Sequence, residues 1–372
     1  MTSAIFCVPG KLETATGGYR YARNVLRKLT PARTAFSLVH WPLPELGLTP
    51  CRSDIEETAH RLGAAPSGWP VLIDGLALGA LPVEILREAQ GPLAALIHHP
   101  LALEHGLDAD QAGALAVQER AALAECGAVI TTSSHTAETL IAEFGVSREA
   151  ITVARPGIPR PEPFVGRVEV SDNVKILSVG TLTSRKGHDI LIEALAQHRH
   201  LPWQLTILGD DTREPDYTAD LHRRVDRHGL NERISFRGVV ESYSLARSFA
   251  TADLFVLASR YEGYGMAFAE AMAAGLPVLG TDAGAVSEAT AGGAMLVPPD
   301  DVAALSEALG PLLADAGARA ALAARGRSAA RTLATWDDTA AAVTQALMPL
   351  TAAQAAVGAP PPPADTALET GR

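Results

Sequence analysis

Short apolar runs alternate with amphipathic stretches of helical length along almost the whole chain, and the rhythm is interrupted once. Ala4–Val8, Phe36–His40, Val71–Asp74, Ala94–His98, Ala128–Thr132 and Ile151–Val153 read as strands, with helix candidates near 19–29, 53–62, 82–90, 108–125 and 134–145 between them. Strands separated by helices build βαβ units and a mostly parallel sheet, since a parallel neighbour needs a crossover long enough to bring the chain back. Pro156 to Asp172 then holds four prolines and two glycines, the composition of an extended interdomain connection. Beyond it the rhythm resumes, with strands at Val174–Val179, Leu205–Leu208, Ile234–Phe236, Leu254–Leu257, Val278–Leu279 and Ala294–Val297. Helices near 187–198, 216–228, 241–250, 266–274 and 301–315 fill the gaps.

The pattern predicts an α/β chain of two doubly wound, Rossmann-like domains facing across a cleft. A length of 372 residues suits two cores better than one. The expected division is a first domain over 1–160, a linker over 161–172, a second domain over 173–335, and a helix at 336–350 that returns to the first. Residues 351–372, with Pro360 to Pro363, are expected to form a disordered tail. Trp336 is expected to be buried where the returning helix starts. Doubly wound sheets bind ligands at the carboxyl ends of their strands, so the strand-to-helix turns are where chemistry should lie.

Bulk properties exclude several classes. Cys7, Cys51 and Cys126 are far apart and without CxxC spacing, which argues against a disulfide framework or a zinc site. A formal net charge of −11 disfavours general nucleic-acid binding. The first residues, MTSAIFCVPGKL, lack a basic leader, and no apolar run approaches a membrane span, so a cytoplasmic protein is expected.

Four turns carry candidate chemistry. Ser259 to Glu270 follows the strand Leu254–Leu257 and opens a helix. Gly263, Gly265 and the backbone at Met266 and Ala267 would offer free N–H groups and a helix dipole to a diphosphate. A carboxylate cannot bind phosphate, so Glu262, projecting from the loop, and Glu270, about a turn into the helix, read as acceptors for ligand hydroxyls. A dipole-balancing glutamate would also explain Glu270 taken alone. Gly180 to His188 places Arg185 and Lys186 side by side at a helix start, where they oppose the dipole unless an anion lies between. Gly17 and Gly18, ahead of the first helix, could bring backbone against a phosphate or a sugar, although a tight turn needs the same residues. His98 and His99 close a strand of the first half, where a histidine could bond a sugar hydroxyl or carry a proton, or simply cap the strand.

Two further signals are discounted. Asp108-Ala-Asp110 spells DxD but stands at a helix start, where acidic caps belong, and no metal is expected. Gly263-Tyr-Gly265-Met-Ala-Phe268 lacks the third glycine of a dinucleotide fingerprint, which leaves a nicotinamide dehydrogenase without support.

Glu262 to Glu270 resembles the E-x7-E signature of the retaining family 4 glycosyltransferases of GT-B fold. The resemblance extends over nearly the whole chain, through Gly17-Gly18, Val129 to Ser133, Pro156-Gly157, Gly180 to Gly187 and Thr281 to Gly284. It implies that Glu270 takes the ribose hydroxyls, Glu262 the donor-sugar hydroxyls, Lys186 the diphosphate and His98 the transferred sugar, with Gly17 and Gly18 facing phosphate or acceptor. The chain departs from the pattern at Thr181, where the family has arginine, and Arg185 could supply that charge. It also departs at Tyr264, at Ala285, and at Ile158-Pro159.

The activity implied is metal-independent, retaining transfer of a hexose from a nucleoside-diphosphate sugar, a UDP-sugar first, without any other cofactor, to a lipid or a small metabolite. A GT-B sugar-nucleotide epimerase and a non-catalytic sugar-nucleotide binder are the alternatives. Arg20, Arg23, Arg27 and Lys28 on the first helix suggest a weak peripheral contact with anionic lipid at the inner face of the membrane. Residues 1–160 nevertheless carry 13 Lys/Arg against 16 Asp/Glu.

Overall fold

The computed structural model of the chain describes residues 2–104, 106–159 and 173–351. It divides into two compact units. One is built from the chain up to Arg155 together with the chain from Trp336 onward, and the other spans Pro156–Thr335. The expected linker at 161–172 lies outside the described residues, as does the expected tail beyond Thr351.

In the first unit, β1 (Thr2–Pro9), β2 (Phe36–Leu43), β3 (Val71–Asp74), β4 (Leu93–Ile97), β5 (Cys126–Thr131) and β6 (Ile151–Val153) form one parallel sheet in the order β2-β1-β3-β4-β5-β6. Both faces of β1 are covered, and its alternation shows how. Ala4, Phe6 and Val8 pack into one core with Tyr21, Val25 and Leu347, while Ile5 and Cys7 pack into another with Leu62, Leu78 and Leu115. A strand covered on both sides reads as a continuous apolar run, because its period-2 signal disappears. Helix Trp336–Leu347 belongs to this unit: Thr339 Oγ1 donates to Arg155 O (2.7 Å), and Lys28 pairs with Asp337 (2.7 Å). Trp336 is half-buried rather than buried, with its ring edge-on to Tyr21 at 5.8 Å.

In the second unit, β7 (Val174–Val179), β8 (Trp203–Leu208), β9 (Ile234–Phe236), β10 (Leu254–Leu257), β11 (Val278–Thr281) and β12 (Met295–Val297) form a second parallel sheet, ordered β12-β11-β10-β7-β8-β9. Leu254 and Val256 face one core with Leu191 and Leu309, and Phe255 and Leu257 face the other with Phe268 and Met272.

The expected helix at 82–90 is replaced by two short ones, Gly75–Ala80 and Val83–Leu86. Asp74 Oδ1 caps the first by accepting from Leu76 N (3.0 Å), and Pro82, without an N–H, separates it from the second. Both sheets contain a strand-order reversal, at β1/β3 and at β7/β10. Chains leaving adjacent strands in opposite directions leave a crevice there, and ligands bind in it.

Candidate functional site

The reversal between β7 and β10 brings together the two glycine-bearing segments of the second unit. After β7 the chain makes a 3₁₀ turn at Ser184–Lys186 and then enters helix His188–Ala196 through Gly187. Gly187 has φ +63°, and a Cβ there would stand 1.9 Å from Ala258 O, so only glycine lets this turn press against the end of β10. After β10, residues Ser259 to Gly265 lead into helix Met266–Ala273, whose first N–H groups have no partner within the helix. Arg185 and Lys186 therefore stand in the turn ahead of a helix, separated from it by one glycine, and not at its start as the sequence reading has them.

Glu262 is only 6% exposed and is enclosed by cations rather than projecting from the loop. Lys186 Nζ donates to its Oε1 at 2.7 Å, Ser259 Oγ donates to the same oxygen at 2.6 Å, and Arg185 Nη1 stands 3.7 Å from Oε2. Burial alone would push this carboxyl up. The charges of Lys186 and Arg185, with the hydrogen bonds from Lys186 and Ser259, outweigh burial and hold it below the usual carboxylate range. Both cations thus meet Glu262, which lies four residues ahead of helix Met266–Ala273. The alkyl chain of Lys186 passes close to Gly180, where a Cβ would meet it at 3.2–3.4 Å. His188, fully buried, sits behind the turn with Nε2 3.3 Å from Gly180 O. Burial lowers its pKa to about 4, with the Lys186 charge acting in the same direction, so it is neutral. Gly263, Met266, Ala267 and Glu270 are half-buried around the helix start.

Several residues that hold this arrangement escaped the sequence reading. Arg260 forks onto Asp189 (3.0 and 2.8 Å), reaches Asp300 (2.6 Å), donates to Ser184 O, and its backbone N–H donates to Arg185 O at 2.7 Å. Tyr217 Oη donates to Asp189 as well (2.7 Å). These bonds fasten the Ser184–Lys186 turn to the loop after β10. Arg260 lies inside a segment that drew attention, but its partners are 40 to 76 positions away and no local spacing points to them. Gly284, on the loop after β11, packs so closely on Glu262 that a Cβ would fall 2.4 Å from Glu262 O.

In the first unit, Gly17, Gly18 and His98 converge. Gly18 is in the first turn of helix Gly17–Lys28, and a Cβ there would touch His98 Cδ2 and Nε2 at 3.4 Å. The ring stands edge-on to Tyr21 (5.2 Å), and Nε2 lies 3.7 Å from Asp74 Oδ2. His99 instead bonds Leu103 O through Nε2 (3.0 Å). Glu119, buried in the middle of helix Ala109–Ala124, clamps the turn after His99 by accepting from Leu101 N (2.7 Å) and Ala102 N (2.8 Å). Nothing local in the sequence announces that role. Of the basic residues on the first helix, Lys28 is paired with Asp337, and Arg23 donates to Leu12 O and Thr14 O. Asp108 caps helix Ala109–Ala124, accepting from Gln111 N at 2.8 Å while Gln111 Oε1 accepts from Asp108 N. No helix among the described residues is long and apolar enough to cross a membrane.

Two doubly wound parallel sheets of this order define the GT-B fold of glycosyltransferases, and solved structures overlay on it. Sucrose-phosphate synthase from Thermosynechococcus elongatus matches with a TM-score of 0.80 at 21% identity, covering 95% of this chain and all of that one. HepE from Anabaena, solved in complex with UDP and glucose, matches with a TM-score of 0.74 at 19% identity over 94% of this chain and all of its own. Residues 173–315 match the family model for glycosyl transferases group 1.

Among curated relatives, D-inositol 3-phosphate glycosyltransferase of Xylanimonas cellulosilytica is 31% identical over 245 residues, 61% of this chain and 58% of that protein. Glycogen synthase of Mycobacterium tuberculosis is 34% identical over 210 residues, 55% of this chain and 50% of its own. The chain thus aligns with little more than half the length of these relatives.

Proposed function

We propose that the protein is a retaining glycosyltransferase that moves a hexose from a nucleoside-diphosphate sugar to a hydroxyl acceptor, a lipid or a small metabolite. The observation that carries this reading is the cluster of Arg185, Lys186 and Glu262, built from the loops that follow β7 and β10 at the strand-order reversal, the second of which leads into helix Met266–Ala273. A diphosphate is the anion such a place suits, with cations on one side and free backbone N–H groups on the other. Glu270, in the same helix, takes the ribose hydroxyls. UDP is the favoured nucleotide, because HepE was solved with UDP and with UDP-glucose.

Transfer proceeds on one face of the sugar. The acceptor oxygen bonds to the anomeric carbon as the bond to the diphosphate breaks, and the acceptor proton passes to a diphosphate oxygen. Lys186, Arg185 and the helix dipole stabilise the charge growing on the leaving group, in the role a metal ion fills elsewhere. Glu262 is unsuited to attack the sugar as a nucleophile, because its carboxylate is held by Lys186 and Ser259. His98 is assigned to the transferred sugar on the family resemblance.

The test is nucleotide release from UDP-, GDP- and ADP-glucose, first alone and then with fractions of cell extract as acceptors. Release that rises with an acceptor and yields an α-linked product supports the reading. An epimerised free sugar nucleotide would make the protein an epimerase, and no turnover of any donor would leave only a binder.

A further inference from the structure

His98 presents two chemically different edges. Nε2 is buried and has no hydrogen-bond partner among the described residues, while the side chain as a whole is 26% exposed. Its Cδ2–Nε2 edge lies over Gly18 and Tyr21 closes another side of the ring, so the Nδ1–Cε1 edge is the exposed one. Asp74, buried at the end of β3, has one carboxylate oxygen committed: Oδ1 accepts from Leu76 N and caps the following helix. Its other oxygen, Oδ2, lies 3.7 Å from His98 Nε2, beyond hydrogen-bonding distance but within reach of a small rotation of either side chain. A carboxylate oxygen only accepts, so the proton between this pair belongs on Nε2. An imidazole carrying its proton on Nε2 presents a lone pair at Nδ1.

We propose that Asp74 is a positioning residue for His98, fixing the Nε2–H tautomer so that Nδ1 accepts a hydrogen bond from a ligand hydroxyl. The ligand's chemistry follows: a group with an O–H at that point is received, and one offering only an acceptor is refused. This rests on the reading of His98 as a contact of the transferred sugar. The tautomer is itself a property of Asp74 and His98 alone, so the two can be tested apart.

The experiment uses the full chain with ¹⁵N-labelled histidine, His98 being assigned by comparison with His98→Gln, at a pH well above the histidine range. Asp74→Asn is the informative variant. Its side-chain oxygen still caps Leu76 N, while its amide N–H₂ now faces Nε2 and donates to it, which drives the ring proton to Nδ1. The wild type should show a protonated Nε2 and an unprotonated Nδ1, and Asp74→Asn should reverse them. Turnover of whichever of UDP-, GDP- or ADP-glucose serves as donor should fall about tenfold or more in Asp74→Asn, the worth of one hydrogen bond. Affinity for the free nucleoside diphosphate and the thermal midpoint should not change, which a merely structural role would not reproduce. A wild-type His98 protonated on Nδ1, or a tautomer unaffected by Asp74→Asn, overturns the proposal. Unchanged turnover in His98→Gln, with the tautomer reversal intact, would instead remove the sugar contact and leave the pairing standing.

Discussion

Replacing Lys186 by methionine removes the cation from a nearly enclosed ion pair while keeping the volume of its alkyl chain. Glu262 then remains at 6% exposure with only Arg185, 3.7 Å away, and the Ser259 hydroxyl to offset its charge. Truncating one partner of a buried pair costs about 3–5 kcal/mol, because it strands the other charge. An upper limit on that stranding comes from protonation. Neutralising a carboxyl of ordinary pKa 4.5 at pH 7 costs about 3.4 kcal/mol, and the mutant can always escape by that route. Arg185 reduces the cost further, and the expected loss is about 2–3 kcal/mol.

Because the two units can unfold separately, the probe must report on one of them. Trp203 is buried in the second unit, so urea titration in a background with Trp41, Trp69 and Trp336 changed to phenylalanine isolates it. Adding Glu262→Gln to Lys186→Met should restore at least half of the loss, since no charge is then stranded. The pH dependence supplies a second check. In the wild type the folded pKa of Glu262 lies below 4.5, so its stabilisation is complete above that value and is lost as pH falls through the depressed folded value. Lys186→Met should diminish this loss in acid. A single mutant within about 0.5 kcal/mol of wild type, or a double mutant no better than the single, would refute the ion-pair account.

Gly284→Ala should destabilise the second unit by about 2 kcal/mol or more, because the new methyl meets Glu262 O at 2.4 Å with the backbone at φ +62°, and the same titration reads it. Glu119→Gln should lower the melting temperature of the first unit by the equivalent of about 1.5–3 kcal/mol, because an amide N–H₂ would face the N–H of Leu101 or Ala102; unchanged melting would mean that the clamp is dispensable. Glu270→Ala should weaken binding of the free nucleoside diphosphate about tenfold or more by calorimetry, and unchanged affinity would remove the ribose assignment. Turnover should persist in excess EDTA, and a loss restored by magnesium or manganese would show that the cations described here do not suffice.

The strands were legible because both faces of each sheet are covered, which leaves runs such as Ile5-Phe-Cys-Val8 and Leu254-Phe-Val-Leu257 with no polar interruption. The helices at 75–80 and 286–290 were not, being too short to show a period and dependent on a cap or on packing. The site was legible in part. Glycines and charges beside strand ends stood out, and Lys186 and the two carboxylates Glu262 and Glu270 could be named from their spacing. What each side chain touches could not be read that way. Spacing suggests a phosphate for Lys186 and a sugar for Glu262, but not the 2.7 Å hydrogen bond between the two, which are 76 positions apart in the chain. Arg260, Asp74 and Glu119 act through partners on other elements, and such partnerships exist only once the strand order is known.

That strand order also governs when the second unit can become competent during folding. β7, β8 and β9 are neighbours in sequence and in space, so they can assemble early as a local parallel meander. Pairing of β7 with β10, in contrast, joins Ile176 to Leu254 and must close a loop of that length first. The cationic turn belongs to the early half and its carboxylate to the late half. An intermediate containing only β7–β9 would therefore expose Arg185 and Lys186 without their counter-charge. Under the proposed function, nucleotide supplied during refolding would then lower the free energy of the completed sheet and drain such intermediates, acting as a folding chaperone for this unit.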